Sequence, residues 1–372
     1  MRKLCRYLLL VSFCFAALTG KAQEAVFANN YHSSTGLAKL AVEKAVIYTP
    51  NMVWHYAHHP SVVYFKRNFY AIFSNGVKGE DDPGQRILIS KSANFEDWSL
   101  PQILKEPKIA ADEIPYTLTP GGIFVHNDKL MLLYTENNIG DNYARLNVKL
   151  YAITSEDGEH WSEPVDLNIR LFPSHKPFLL PSGRFLITGN DVVYYTDDRS
   201  GLSGWTKAVY NGKREEVKAT LVEGAFTVAK NGMLYNLLRS TGKTYDGFLY
   251  QSMSEDQGKT WSIPAKAKFT DNNSKSYLGQ LPDGRYFHIG TPDTTNKGKR
   301  TPLVLSVSKD GLNYDKTFIV DDSNYQMKYK GKWKDGQFGY PYAYVNGKDL
   351  FIIYSRRKEQ LEIVKIAISQ LK

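Results

Sequence analysis

Apolar and polar residues alternate with a period of two through most of this chain, and turn dipeptides break the alternation at short intervals. Ser61-Val62-Val63-Tyr64-Phe65 runs into a turn and returns as Asn68-Phe69-Tyr70-Ala71-Ile72-Phe73. The same shape recurs at 122–125 with 129–134 around Asn127-Asp128, and at 178–180 with 184–188 around Ser182-Gly183. Further hairpin turns stand at Asn231-Gly232, Asp283-Gly284 and Asn346-Gly347. Such alternation gives a strand two distinct faces, whereas a helix needs apolar residues three or four apart. No helical period stands out, so the pattern predicts an all-β chain built on six hairpins.

One corner motif recurs between these hairpins: a serine or threonine, an acidic or amide residue, a glycine and an aromatic. Its fullest copy is Ser254-Glu255-Asp256-Gln257-Gly258-Lys259-Thr260-Trp261. Ser155-Glu156-Asp157-Gly158-Glu159-His160-Trp161 is one residue shorter, and Ser308-Lys309-Asp310-Gly311-Leu312-Asn313-Tyr314 carries Tyr in place of Trp. Weaker copies are Ser92-Ala93-Asn94-Phe95-Glu96-Asp97-Trp98 and Thr196-Asp197-Asp198 running on to Trp205. The aromatics fall at 98, 161, 205, 261 and 314. These intervals suit one four-stranded propeller blade, whose repeat is ~40–50 residues before insertions. The Asp or Asn side chain accepts N–H groups of the turn, glycine supplies a positive φ, and the aromatic fills the gap between blades.

The expected fold is therefore a single β-propeller of about six blades, each of four antiparallel strands with an Asp-box corner. Seven blades would follow if residues 24–50 held more than one strand. The last hairpin and the strand at 362–368 end without a corner. Lys44-Ala45-Val46-Ile47-Tyr48 is expected to supply the missing outer strand and close the ring, leaving no open sheet edge.

Composition narrows the function classes. Residues 1–22 have a basic start (Arg2, Lys3, Arg6), an apolar run to Leu18 and small residues before Gln23, the pattern of a cleaved secretory signal. The expectation is a secreted or periplasmic protein whose propeller domain spans 23–372. Cys5 and Cys14 both fall in the leader, which excludes disulfides, thiolate metal sites and cysteine nucleophiles from the remainder. Removing Arg2, Lys3, Arg6 and Lys21 from the 47 basic residues leaves 43 against 38 acidic, a net charge of +5. That mild excess suits an acidic polysaccharide or oligosaccharide as partner. Basic residues form no helical stripe, and no apolar run after the leader is long enough to cross a membrane, so neither nucleic acid nor membrane is expected. A monomer is the expected state.

In a propeller the innermost strand of each blade lines the channel, and polar residues where those strands begin need a reason. Trp54-His55-Tyr56-Ala57-His58-His59-Pro60 leads into the first of them. In an extended chain His58 and His59 point to opposite sides, so acid–base use is expected of them and no metal site. The next hairpin ends on Ser74-Asn75-Gly76, followed by a carboxylate-rich loop closing at Gln85-Arg86, a place where recognition usually lives. Glu80, Asp81 and Asp82 leave a structural calcium ion open, with a solvated acidic turn the plainer reading. No cofactor is expected to be required. Arg239, Gln280 and Arg300 read as matching positions in later blades, and Tyr340, Tyr342 and Tyr344 open the last. Arginine forks there suit a carboxylate.

The Asp boxes, Arg239 and the Tyr340-to-Tyr344 opening resemble the sialidase superfamily over nearly all of the chain after the leader. Sialidases begin the first blade with Arg-Ile-Pro, whose arginine helps grip the sialate carboxylate. His58-His59-Pro60 stands there instead, which argues against sialidase activity. That start, Ser74-Asn75-Gly76, the loop closing on Gln85-Arg86 and the run Gln280-Leu281-Pro282-Asp283-Gly284-Arg285 look more like secreted propeller enzymes acting on rhamnose–glucuronate linkages. These are the ulvan lyases and the enzymes that release terminal rhamnose from glucuronate in arabinogalactan-type glycans. The resemblance implies β-elimination at a uronate, with His58 or His59 as base and Tyr340 as proton donor. Arg86, Arg239 and Arg300 would face the carboxylate, and His55, Asn75, Gln85, Gln280 and Tyr342 would complete the substrate site. Ulvan lyases carry a second histidine further along the blade, where Asn75-Gly76 stands here, and this favours an exo-acting enzyme. Two other readings stay open: a rhamnosidase- or sialidase-like hydrolase using Glu223 with a channel tyrosine, and a non-catalytic glycan-binding propeller.

Overall fold

The period-two runs form the expected hairpins in the computed structural model, which describes residues 26–107, 116–141 and 144–372. The expected signal at 1–22 lies outside the described residues. Tyr56–Phe65, Asn68–Gly76, Arg86–Ser92 and Gln102–Lys105 pair antiparallel in that order as blade 1. Blade 2 is Thr117–His126, Lys129–Ile139, Arg145–Ser155 and Val165–Asp166. Blade 3 is Phe178–Leu179, Phe185–Gly189, Val192–Thr196 and Thr206–Lys207. Blade 4 is Thr220–Val228, Leu234–Thr241, Phe248–Ser254 and Ala265–Thr270. Blade 5 is Tyr277–Gln280, Tyr286–Gly290, Leu303–Ser308 and Asn313–Asp321. Blade 6 takes Phe338–Asn346, Asp349–Arg356 and Gln360–Ala367 from the end of the chain and Glu43–Tyr48 from its beginning. That returning strand closes the ring as expected. Two strands were not legible beforehand: Ala28–Asn29 runs parallel between the outer strands of blades 4 and 5 and ties them together, and Val209–Asn211 pairs parallel with Thr260–Ser262 at the corner of blade 4.

The apolar residues gather in six clusters, one at each blade–blade interface around the ring. Each blade is thus buried on both faces, so strands such as Asp349–Arg356 carry near-continuous buried runs. The corners form as their residue types demand. Asp256 Oδ1 accepts the N–H groups of Lys259 and Thr260 at 3.0 and 2.9 Å, and Gly258 N donates to Ser254 Oγ at 2.8 Å. Asn94, Asp157, Asp198 and Asp310 accept turn N–H groups in the same way. Trp261 is buried between blades 3 and 4. Among the described residues no helix is long and apolar enough to cross a membrane.

Candidate active site

At the mouth opposite the corners, the innermost strands of blades 1, 4 and 6 each break register: between His58 and Ser61, Val222 and Ala225, and Gly339 and Tyr342. A β-bulge re-aims a side chain. In each break a non-glycine residue takes a left-handed backbone: His59 at φ 53°, Glu223 at 51° and Tyr340 at 49°. Such conformations cost about 1–3 kcal/mol each and gather where function over-determines them. All three side chains line one cavity of about 110 Å³, with Glu80, Arg145, Ser174 and Lys275 among its other walls. Every blade contributes to it, which places it at the mouth of the central channel.

The hydrogen bonds fix the histidine tautomers. Ser74 Oγ donates to the His58 carbonyl at 2.9 Å, so the 2.9 Å contact between His59 Nδ1 and Ser74 Oγ has Nδ1–H as donor. His59 Nε2 is then a free lone pair on the cavity side, 3.5 Å from Glu80 Oε1. His58 repeats the device one layer deeper: Ser355 Oγ donates to the Gly339 carbonyl, and His58 Nδ1 donates to Ser355 Oγ at 2.7 Å. Its Nε2 has no partner and the ring is fully buried, packed 4.1 Å from the Tyr340 ring. Burial holds His58 well below its ordinary pKa, and Lys358 adds to that. Burial pushes His59 down to about 3 against the opposing pull of Glu80. Both rings are neutral near pH 7, but only His59 reaches the cavity.

Tyr340 sits between an acid and a base. Its hydroxyl hydrogen-bonds Glu223 and receives Arg239 Nη1 at 3.3 Å. Arg239 also pairs with Glu223, and its Nε and Nη2 donate to Asn273 Oδ1 at 2.9 and 2.7 Å. Burial raises Glu223, but Arg239 and Lys275 outweigh it and hold the carboxyl below its usual value. Glu80 is likewise held down to about 2, burial being outweighed by its pairing with Lys358. Lys275 lies 4.6 Å from the Tyr340 ring centre and donates to the Ser174 carbonyl at 2.8 Å; burial lowers it to about 8. Asp81 is held bidentate by Arg145 at 3.1 and 2.7 Å, yet burial leaves it above its usual pKa. Lys275, Lys358, Arg145, Arg239 and Arg300 outnumber the four carboxylates they face, Glu80, Asp81, Glu223 and Asp271, the last raised by burial to about 7. The mouth therefore favours an anionic ligand.

This arrangement argues against a cation. His58, His59 and Glu80 offer ligand atoms within 4.8 Å of one another. Glu80 already meets an ammonium, and both histidines feel Lys275 and Lys358. The calcium reading of the acidic loop fails too. Glu80 goes to Lys358, Asp81 to Arg145, and Asp82 accepts the Gly79 N–H at 2.6 Å, so the three carboxylates diverge.

Residues 68–352 match the family described as BNR repeat-like domain. The chain belongs to that family. No curated protein matches it. Among solved structures it is similar to a sialidase at 17% identity and TM-score 0.67, covering 92% of this chain and 35% of that one. A protein of unknown function from Dyadobacter fermentans matches at 16% identity and TM-score 0.67, covering 90% of this chain and 100% of that one. Trypanosoma rangeli sialidase in complex with sialic acid matches at 14% identity and TM-score 0.64, covering 90% and 60%. This chain thus spans about a third and three-fifths of these two sialidases. These likenesses establish a shared fold, that of a sialidase-like β-propeller.

Within this BNR repeat-like propeller the sequence-based site divides. His59 and Tyr340 line the cavity, and His58 braces Tyr340 from behind. The alternation argument that separated His58 from His59 fails, because the bulge brings their rings to 4.6 Å. Arg239 lies on the second strand of blade 4, not an innermost one, and its guanidinium is occupied by Glu223 and Asn273. Arg300 precedes the third strand of blade 5; it feels Arg239, Tyr340 and Glu223 but does not line the cavity. Tyr342 is buried deeper in the channel, its ring 4.9 Å from that of Tyr277. Gln280 sits at the turn end of its strand, exposed and bonded to Gly284 O, away from the mouth. His55 stacks on Tyr329 at 4.0 Å and hydrogen-bonds Met52 O, outside the site. Gln85 is a buried brace that donates to Leu118 O and accepts Asp81 N, so it holds the Asp81 loop. Asn75 and Arg86 line a different groove. Lys275 and Lys358 were missed. Lys275 stands just before an innermost strand, which was a usable signal; Lys358 lies in a tight hairpin turn that reads as ordinary surface.

Proposed function

We propose that this protein cleaves an acidic, uronate-containing glycan at a chain end by β-elimination. The observation that carries the reading is His59: its Nδ1–H is fixed on Ser74, so Nε2 offers a lone pair into a cationic cavity beside Tyr340. Lys275, whose ammonium spends one donor on the Ser174 carbonyl, meets the uronate carboxylate and stabilises the charge that builds there as the C5 proton leaves. His59 Nε2 takes that proton, the C4–O bond breaks, and the Tyr340 hydroxyl protonates the departing oxygen while a C4–C5 double bond forms. The cavity, at about 110 Å³, is below the ~300–1,000 Å³ of pockets for drug-sized ligands, which suits a terminal sugar.

One observation favours a second reading, hydrolysis. Tyr340, Glu223 and Arg239 form a connected set that could carry a tyrosine nucleophile, and Asp81 is the cavity carboxyl held above its usual value, as a general acid needs. Incubation with glucuronate-bearing arabinogalactan and with ulvan separates the two. Elimination leaves an unsaturated uronate visible by its ultraviolet absorbance and survives Asp81→Asn. Release of saturated sugars that stops with Asp81→Asn would replace elimination by hydrolysis. Binding without product would leave a glycan-binding propeller.

A further inference from the structure

A second cavity, of about 560 Å³, opens on the flank of the ring between the outer strand of blade 6 and blade 1. It is separate from the mouth cavity, with which it shares no lining residue. Its floor is a pre-oriented guanidinium. Asn75 is fully buried and spends its amide nitrogen on Tyr56 O at 2.9 Å and Tyr48 Oη at 3.1 Å, which turns its Oδ1 to receive Arg86 Nε at 3.0 Å. The Arg86 guanidinium sits over the Trp54 ring, its carbon 3.5 Å from the ring centre. With one face against Trp54 and Nε spent, the two terminal nitrogens have no hydrogen-bond partner among the described residues and form a free fork. Their only ionic neighbour among the described residues is Glu106, 3.8 Å away with a side chain 63% exposed. Among the described residues no acidic side chain lines the groove, and Arg86 is its one charge. Trp98 and the 88% exposed Leu100 form the apolar side.

We infer that this groove is a second binding subsite, which takes a sugar unit bearing a planar or tetrahedral oxyanion, a carboxylate or a sulfate ester, from an acidic glycan. The inference rests on the acidic-glycan reading of the mouth. Three features converge on it: an arginine fork whose orientation is fixed before binding, an aromatic and aliphatic wall against which a sugar ring can lie, and a positive charge offset only by the exposed Glu106 among the described residues. Arg86 stands on the third strand of blade 1 and His59 on the first. At ~4.8 Å per strand the groove lies roughly 10 Å outward from the reacting group, so it engages units beyond the one being cleaved, or a neighbouring chain.

The test is native affinity electrophoresis of the full chain, with His59→Ala introduced so that cleavage cannot erode the ligand. The gels contain glucuronate-bearing arabinogalactan, the same polymer with its carboxyls reduced, or a sulfated galactan free of uronate. Retardation by either oxyanion polymer, absent with the reduced one and weakened roughly tenfold by Arg86→Gln, is the expected result; which of the two polymers retards tells carboxylate from sulfate. Leu100→Glu changes an exposed side chain, so it keeps the fold and should weaken binding similarly by placing a negative charge at the rim. Equal retardation of the wild-type groove and both variants, or equal retardation by the reduced polymer, overturns the inference. A separate assay keeps the two readings apart: in the His59 background intact, both groove variants should cleave a short uronate oligosaccharide at the parental kcat/KM while KM for the polymer rises. Groove-dependent retardation with no cleavage of any substrate would sink the elimination reading and leave the subsite standing.

Discussion

At the Asp-box rim one hydrogen-bond pattern is drawn five times with nearly the same residues; at the mouth the innermost strands of four blades break register, and three of the breaks hold a different non-glycine side chain in a left-handed backbone. The corners satisfy their own turn N–H groups and seat an aromatic between blades, so each stabilises locally and none faces the channel. The bulges at His59, Glu223 and Tyr340 do the reverse. They interrupt the ladder, hold non-glycine residues in a left-handed backbone and turn chemistry-bearing groups onto the axis. Repetition at one rim carries the fold, and departure from repetition at the other carries the site.

This contrast can be broken in graded ways. His59→Ala should lower kcat by ~10²–10⁴-fold, the usual range for a positioned acid or base, with little change in thermal midpoint. His58→Ala, whose ring never reaches the cavity, should instead show mainly in the midpoint. Steady-state kinetics beside a thermal melt distinguish them, and the reverse pattern would make His58 the base. On the other rim, Trp261→Ala should cost about 3–5 kcal/mol of stability, as for large buried aromatics, while kcat/KM measured well below the melt stays at the parental value. Denaturant titration gives the first quantity, and a parallel fall in kcat/KM would tie the corners to the site.

Smaller effects sharpen the electrostatics. Lys275 is held down to about 8 by burial, so it is charged below that pH and loses its charge as pH rises through it. Affinity for an acidic substrate should therefore fall above about pH 8, and Lys275→Met should weaken binding at pH 7 roughly tenfold while removing that alkaline limb. A pH profile of KM checks both. No acid limb is expected near the ordinary histidine value, because His59, held down to about 3, is neutral throughout that range. The mildest expected change is Asp256→Ala, which removes acceptors for two turn N–H groups and should cost about 1–2 kcal/mol with no kinetic consequence.

Much of this was legible beforehand. Period-two alternation, turn dipeptides and the spacing of Trp98, Trp161, Trp205, Trp261 and Tyr314 specify six blades, because a blade is made of contacts close along the chain. The closing strand Glu43–Tyr48 could be placed because the last blade lacked one. His59 and Tyr340 stood out as polar residues where apolar ones were due. Arg239, Gln280 and Arg300 looked equivalent on the page and are not, since a position within a blade does not tell which end of the channel a side chain faces or what already occupies it.

The chain's local pattern thus determined strands, corners, ring and closure, all of which follow from alternation, turn chemistry and the need to leave no edge open. Only the tertiary structure decided that His58 and His59 come together, that Arg239 is spent on Glu223, that Lys275 supplies the charge, and that Asn75 and Arg86 belong to another groove. The reason is physical. The site is assembled from six blades far apart in sequence, and a bulge of one residue reverses where a side chain points, which no reading of neighbours along the chain can foresee.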